Sequence, residues 1–416
     1  MTKIISKRPS VFGALILIII VGGFFYFLKP EFFSGIKQKV AAVFFVESLS
    51  PETLKNKFVL ASQERGKLRI LLVPGHDEAS PGTVYKGLRE VDMNLALSEE
   101  LLPLFKNDSQ FEVLSVRDRN GYKPFYLNYF FGQREAIRKF IEKNKEQMQS
   151  LLDSGSIELH QGVIHQDAIL NIAETLYGIN KYASENNFDL VIHIHFNDAG
   201  GRRYNQADKY SGFAIYVPEK QYSNSRASIA VATKIFNRLA LFNPVSNLPK
   251  EDSGIVQEQN LIAIGAFNTL DPAGMLIEYG YIYEPEFQDP VIRQKKIKDL
   301  AFQTYLGIQD FFGTEKAKSF AYNSTLLPYL WQNDLEKGID ENLEVLYLQT
   351  ALALDGHYPP SGKDNRECPI IGSFGPCTEK AVKAFQAAHD ISPVSGYVGP
   401  QTRALLNKMF GKGVKL

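Results

Sequence analysis

The chain has 416 residues, 44% of them hydrophobic, and a formal net charge of +0. That length allows two or three domains with a large core, and the neutral balance lacks the basic surface that nucleic-acid binding needs. Nucleic acid is therefore excluded as a partner. Only two cysteines occur, Cys368 and Cys377, which excludes a zinc finger or a disulfide-rich scaffold.

The N-terminus carries an uncharged apolar run from Val11 to Leu28, which follows Lys7 and Arg8 and ends at Lys29. Such a run is long enough to cross a bilayer, and its basic flank should stay in the cytoplasm. We expect residues 1–30 to be a transmembrane helix, 31–66 a juxtamembrane stalk, and the rest to lie outside the cytoplasm of a single-pass membrane protein. A cleaved secretory signal peptide is the rival interpretation.

The first strong signal after the stalk is a buried strand at 70–73, broken by Pro74-Gly75 and followed by His76. The next helical pattern opens with Glu90. A histidine at the carboxyl end of a strand and a carboxylate at the start of the next helix place two kinds of metal ligand on one rim. A lone histidine after a strand is usually structural, so the interpretation depends on ligands from later strands.

Later strands at 111–116, 189–197, 212–217 and 275–281 alternate with helices at 176–187, 225–241 and 291–312. This order predicts an α/β fold with a mostly parallel, twisted sheet flanked by helices. His193 and His195 lie two apart on one strand and share a face. Glu278 lies within an apolar strand, where it is either ion-paired structurally or part of a site.

Residues 120–175 interrupt the alternation with a connection longer than usual. Its stretch from Gln133 to Leu152 is charged and helical, and His160 and His165 follow. The segment could be solvated padding, a lid over the site, or a loop that holds substrate. The two histidines could be metal ligands or simply polar surface.

The C-terminal part predicts a linker at 314–339 and a small all-α domain at 340–416. The seven-residue segment GSFGPCT at 372–378 recurs as GYVGPQT at 396–402. In each copy a proline is placed to begin a helix. Repeated loops between helices favour a binding domain over an enzyme. In an exported chain Cys368 and Cys377 could form a disulfide.

Four motifs in order now carry a resemblance to a known family. These motifs are Val73-Pro74-Gly75-His76 with Gly87-Leu88-Arg89-Glu90, His193-Ile194-His195-Phe196-Asn197, Gly212-Phe213-Ala214-Ile215-Tyr216, and Ile277-Glu278-Tyr279-Gly280-Tyr281. Together they resemble the zinc-dependent N-acetylmuramoyl-L-alanine amidases of the type 3 amidase family, over roughly 67–313. Residues 340–416 resemble the helical peptidoglycan-binding domain often joined to such enzymes.

The resemblance implies that His76, Glu90 and His195 bind Zn²⁺ and that Glu278 is the catalytic carboxylate. His193 stands where the family usually has serine, and it would lie beside the ligands without binding the metal. Asn197 is likewise expected to lie beside the metal ligands without binding the metal. The PGHDE and IEYGY sequences depart from the family's PGHGG and VExGF, which affects substrate fit more than metal binding.

The implied reaction is hydrolysis of the amide between N-acetylmuramic acid and L-alanine of peptidoglycan by a zinc-activated water. Phe385 and Tyr397 would contact the wall. An activator protein would be a further partner, whose identity the sequence does not give. Two other functions stay open: a non-catalytic wall-binding or regulatory homologue, and a zinc peptidase or deacylase acting on another wall amide.

Overall fold

The structure is a computed structural model that describes residues 49–160, 170–316 and 322–411. Its sheet is built from β1 (Leu68–Pro74), β4 (Phe111–Ser115), β7 (Leu190–Asn197), β8 (Ala214–Pro218), β9 (Ile255–Glu258) and β10 (Ala273–Tyr281). The strand order is β4-β1-β7-β10-β8-β9, and every neighbouring pair is parallel except β10 with β8. Two short hairpins accompany it: β2 (Val84–Tyr85) with β3 (Leu88–Arg89), and β5 (Arg117–Asp118) with β6 (Gly121–Tyr122).

Helices cover both faces of this sheet. They are α1 (Pro51–Ser62), α2 (Glu90–Lys106), α3 (Pro124–Gly132), α4 (Arg134–Asp153), α5 (Leu170–Glu185), α6 (Ser225–Leu239) and α7 (Pro290–Phe312). Alternate residues of β1 serve opposite faces: Ile70 and Leu72 join the larger core, and Leu71 and Val73 join the core on the other face. Burial on both faces explains why this strand is a continuous apolar run.

The predicted stalk is partly built into this domain. Helix α1 begins after Ser50, whose hydroxyl accepts the backbone N–H of Thr53 at 3.0 Å as an N-terminal cap. Leu54 and Phe58 are buried, and Phe58 stacks on Phe312 with ring centroids 4.2 Å apart. Residues 51–62 therefore belong to the α/β domain, because their apolar side is needed to cover it.

The prediction of a transmembrane helix is corrected by the structure. Within the described ranges, no helix is both long enough and apolar enough to cross a bilayer. The 23-residue helix α7 has the length, but its sequence includes Arg293, Lys295, Lys296, Lys298 and Asp299. The predicted anchor at 1–30 lies outside the described residues, and no described helix supports the single-pass membrane localisation.

The C-terminal helical domain contains α8 (Leu343–Leu354), α9 (Pro376–Ala388) and α10 (Pro400–Phe410). Its core also takes in Trp331 and Leu335 from the predicted linker, and both are nearly inaccessible to solvent. Cys368 and Cys377 form a disulfide, which confirms the predicted pairing.

One loop of this helical domain forms several hydrogen bonds with the α/β domain. Arg366 donates hydrogen bonds to the carbonyls of Val245 at 3.0 Å, Ser246 at 3.0 Å and Asp252 at 3.3 Å. Asn365 donates to the carbonyl of Ala240 at 3.0 Å. The disulfide anchors the chain immediately after these two side chains.

Candidate metal centre

The predicted ligands meet where β1, β7 and β10 lie side by side. These strands are parallel, so their carboxyl ends share one rim. His76 follows the end of β1, and His195 lies near the end of β7. Glu278 is the register partner of His195 on β10, which places the two side chains next to each other on one face of the sheet.

Two imidazoles converge on one carboxylate oxygen. Oε1 of Glu90 lies 3.0 Å from Nε2 of His76 and 3.0 Å from Nδ1 of His195. The three ligand atoms all lie within 4.8 Å of one another. Glu90 is the first residue of α2, where the positive end of the helix dipole favours a carboxylate. The other oxygen of Glu90 accepts the backbone N–H of Thr83 at 3.0 Å, which fixes the carboxylate plane.

Two glycines provide the space for these side chains. A Cβ on Gly75 would lie 2.2 Å from Cε1 and Nε2 of His195. A Cβ on Gly82 would lie 2.4 Å from Oε2 of Glu90 and 2.8 Å from Nε2 of His76, and Gly82 also has a left-handed φ of +74°. Glycine at both positions is therefore a packing requirement of the cluster as well as a turn signal.

The loop that carries His76 is held in an uncommon conformation. His76 has a φ of +65°, which costs free energy for a residue with a side chain. Buried Arg117 compensates by donating to the carbonyls of Pro74 at 2.8 Å, Gly75 at 2.8 Å and Val91 at 3.0 Å. These bonds tie the loop to the first turn of α2 and thereby fix His76 relative to Glu90.

The protonation states suit metal binding. Burial alone would raise the pKa of Glu90, but the hydrogen bonds with His195 and His76 lower it below its ordinary value. Burial lowers the pKa of His195, and the bond to Glu90 only partly opposes that effect. An ionised carboxylate beside a neutral imidazole is the form in which both residues bind a cation.

The pKa of Glu278 is shifted in the opposite direction from that of Glu90. Burial raises its pKa well above the ordinary value, and the nearby carboxylates of Glu90 and Glu251 raise it further. Its Oε2 atom is buried and has no hydrogen-bond partner among the described residues. An unpaired carboxyl group is costly to bury, so this atom is a candidate for contact with a cation or a substrate group.

Glu251 lies behind the rim in a dense hydrogen-bond network. Its carboxylate accepts the hydroxyls of Tyr216 at 2.5 Å, Ser246 at 2.6 Å and Tyr281 at 3.3 Å. It also accepts the side-chain N–H of Asn197 at 3.1 Å. The network joins β7, β8 and β10 to the loop that the C-terminal domain contacts through Arg366, so it supports the strand ends that carry the site.

The remaining predicted site residues are placed as follows. His193 is 1% exposed, neither ring nitrogen has a partner among the described residues, and burial lowers its pKa to about 3. It is therefore neutral and outside the cluster.

The two histidines of the long connection are not part of the cluster as described. His160 lies near Glu219, with His160 Nδ1 and Glu219 Oε1 3.5 Å apart, and His165 is outside the described residues.

The two predicted wall-contact residues differ in exposure. Phe385 is 0% exposed in the core of the helical domain, so its ring cannot meet a ligand there without rearrangement. Tyr397 is 39% exposed, and its hydroxyl donates to Asp334. Of these two residues, Tyr397 is the one that presents an aromatic surface to solvent.

Sequence reasoning did not identify Arg117 or Glu251. Arg117 was visible as a charged residue at the end of a predicted strand, a position at the functional rim. Glu251 lies in a turn between elements, with no periodic pattern around it, and no local signal points to its partners.

Two regions of the chain match known protein families. A sequence profile described as N-acetylmuramoyl-L-alanine amidase matches residues 70–310, and one for a peptidoglycan-binding domain matches residues 341–406. No curated protein sequence matches the chain.

Three similar solved structures are distant from this chain in sequence. The amidase AmiC2 of Nostoc punctiforme is 15% identical, with 60% of this chain and 99% of that chain covered and a TM-score of 0.37. Ami1 from Mycobacterium smegmatis is 14% identical, with coverage of 59% and 97% and a TM-score of 0.38. CwlD from Clostridioides difficile, solved in complex with the GerS lipoprotein, is 17% identical, with coverage of 59% and 98% and a TM-score of 0.36.

Proposed function

This chain belongs to the N-acetylmuramoyl-L-alanine amidase family, and we propose that it cleaves its peptidoglycan amide with a zinc ion held by His76, Glu90 and His195. The amide joins N-acetylmuramic acid to L-alanine. The observation that carries the proposal is the convergence of three ligand atoms, from three separate segments, within 4.8 Å.

The donor set fits zinc. Two imidazole nitrogens and one carboxylate oxygen are ligands that Zn²⁺ takes, and three protein ligands leave a fourth position open for chemistry. Bound there, zinc would supply Lewis acidity that polarises the amide carbonyl and acidifies water. Arg117 and the two glycines support this set, because they fix His76 and leave room for His195 and Glu90.

Glu278 is the group that we assign to proton transfer. Its buried Oε2 atom is free to accept a proton from the attacking water and to return it to the leaving amine of L-alanine. Burial and two neighbouring carboxylates raise its pKa. A carboxyl group with a raised pKa is a better base near neutral pH than an ordinary one, and also a usable acid.

Tyr397 is the residue that we assign to wall contact in the helical domain. The family profile supports peptidoglycan as the partner of residues 341–406. An exposed aromatic ring with an anchored hydroxyl could pack on a sugar face at low entropic cost. Phe385 is left out of this assignment because it is buried.

The proposal is tested by product analysis of purified peptidoglycan digested with the full chain, with and without a chelator. We expect free L-alanine amino termini and intact glycan strands, with no release after zinc is removed and recovery when zinc is restored. A new amino terminus at another residue of the stem peptide would indicate a peptidase instead. Release of L-alanine termini at an unchanged rate in zinc-free protein would contradict the zinc assignment.

A further inference from the structure

A second cluster of two histidines and one carboxylate lies in the helical domain. Oδ2 of Asp355 is 3.0 Å from Nε2 of His389 and 3.3 Å from Nε2 of His357. One ligand atom from each of the three residues lies within 4.8 Å of the others. This cluster belongs to a different domain from the centre formed by His76, Glu90 and His195.

The backbone holds all three side chains in place. Asp355 is the C-terminal cap of α8, and His389 is the C-terminal cap of α9. The backbone N–H of His357 donates to the carbonyl of Leu352 at 2.8 Å, which folds the chain back over the last turn of α8. The ring of His389 also packs on Phe385, with centroids 4.5 Å apart. The side chains are therefore positioned without any need for a flexible loop to close.

The electrostatics of this position favour a cation. The carboxyl ends of α8 and α9 meet here, and the free carbonyls of a helix end carry partial negative charge. The carboxylate of Asp355 adds a full negative charge. In the part of the chain that the structure describes, the ion pairs of Asp355 are with the two histidines, and no lysine or arginine is paired with it.

The cluster has the same donor set as the first centre, with near-equal distances. In each case two ring nitrogens lie between 3.0 and 3.3 Å from a single carboxylate oxygen. The second cluster differs in that the unpaired buried carboxyl of Glu278 has no counterpart among the groups described around it. The second cluster is therefore suited to binding a metal ion, and it has no adjacent group for proton transfer.

We propose that Asp355, His357 and His389 form a second zinc site, which joins the carboxyl ends of α8 and α9. Two nitrogens and one carboxylate oxygen leave a fourth position open to solvent, consistent with side-chain exposures of 18% to 29%. Zinc bound there stabilises the helical domain, because the three ligands are brought together only when the domain is folded.

The proposal does not depend on zinc at the first centre. The single tryptophan of the chain provides a signal that distinguishes the two sites. Trp331 is buried in the helical domain, and its ring N–H donates to the carbonyl of Glu344 at 3.0 Å. Its fluorescence therefore reports unfolding of that domain. Full-length protein is stripped with a chelator, titrated with Zn²⁺, and followed by bound-metal analysis and by thermal unfolding of the tryptophan signal.

We expect two equivalents of zinc in the wild type and one in His195→Ala, with a zinc-dependent rise in the tryptophan unfolding midpoint in both. Asp355→Asn and His357→Gln should each bind one equivalent fewer than the wild type and lose that rise, while their zinc-free midpoints stay near the wild-type value. His160→Ala, a histidine outside both clusters, is the matched control and should behave as the wild type.

Two results would overturn the proposal. One is an undiminished zinc content and midpoint shift in Asp355→Asn and His357→Gln. The other is a zinc-independent tryptophan midpoint in the wild type and in His195→Ala, which would leave the cluster as hydrogen-bonded helix caps without a metal. If the wild type and His195→Ala both bound one equivalent of zinc, and both kept the rise in the tryptophan midpoint, the result would count against the first centre. The second site would remain supported.

Discussion

Gly75→Ala places a methyl group directly against the ring of His195. The new Cβ would lie 2.2 Å from two ring atoms, whereas ordinary contact begins at 3.4 Å, so the ring must move by roughly 1.2 Å. The backbone cannot easily move instead. Gly75 donates its N–H to the carbonyl of Ile194 at 2.9 Å, and its carbonyl accepts Arg117 at 2.8 Å and Asn94 at 3.1 Å.

A displacement of about 1 Å in a reacting group can lower a rate by about 10²-fold, equivalent to about 2.7 kcal/mol of transition-state stabilisation. We therefore expect kcat/KM for amide release to fall by about two orders of magnitude, with weaker zinc binding. The loss of folding stability should stay within the roughly 1–3 kcal/mol typical of overpacking.

Gly200→Ala is the matched control, because a Cβ there meets nothing within 4 Å and its backbone is not left-handed. It lies just beyond β7 and should keep wild-type zinc affinity and rate. Both variants are assayed for kcat/KM, bound zinc and thermal midpoint. If folded Gly75→Ala cleaved as fast as Gly200→Ala, the placement of His195 at the reacting centre would be refuted.

Three further results are expected. Glu278→Gln should keep zinc and fold but lose roughly two to four orders of magnitude in kcat; a wild-type rate would remove Glu278 from the mechanism. Arg366→Ala should lower the free energy of unfolding by about 1–3 kcal/mol, because three hydrogen bonds between the domains are lost, and an unchanged denaturation midpoint would show that the docking is not stabilising. Tyr397→Ala should reduce co-sedimentation with insoluble peptidoglycan while bound zinc is unchanged, whereas equal pelleting would place the wall contact elsewhere.

The sequence predicted those features of the fold that depend on the pattern of residues within a single segment. The apolar runs located β1, which precedes His76, and the strands β7 and β10, which carry His195 and Glu278. The parallel pairing of these strands brings the three side chains to one rim. The helical part of the long connection was predicted at 133–152 and is found at Arg134–Asp153. In these cases periodicity and polarity are properties of the segment itself.

Interactions between distant segments were not predictable in the same way. Glu251 has significance only through Tyr216 and Tyr281, which approach it from other strands. The pairing of Asp355 with His389 joins residues 34 positions apart at the ends of two helices. Phe385 was predicted to contact the wall because it lies near the repeated loops, yet it belongs to α9 and its side chain is buried in the core.

The transmembrane prediction failed for a different reason. It used the composition of one segment, which lies outside the described residues, and no described helix supports it. The stalk prediction also failed at 51–62, where Leu54 and Phe58 pack against the α/β domain. A short amphipathic helix that caps a core is difficult to separate from a linker by pattern alone.

The central claim is that zinc held by His76, Glu90 and His195 carries amide hydrolysis, and one titration tests it directly. Chelator-treated Asp355→Asn, which lacks the second proposed site, is titrated with Zn²⁺ while bound metal and the release of L-alanine amino termini are measured in the same samples. We predict that activity rises in proportion to zinc and saturates at one equivalent, and that adding His195→Ala abolishes both. Full activity before any zinc is bound, or in the His195→Ala background, would contradict the claim.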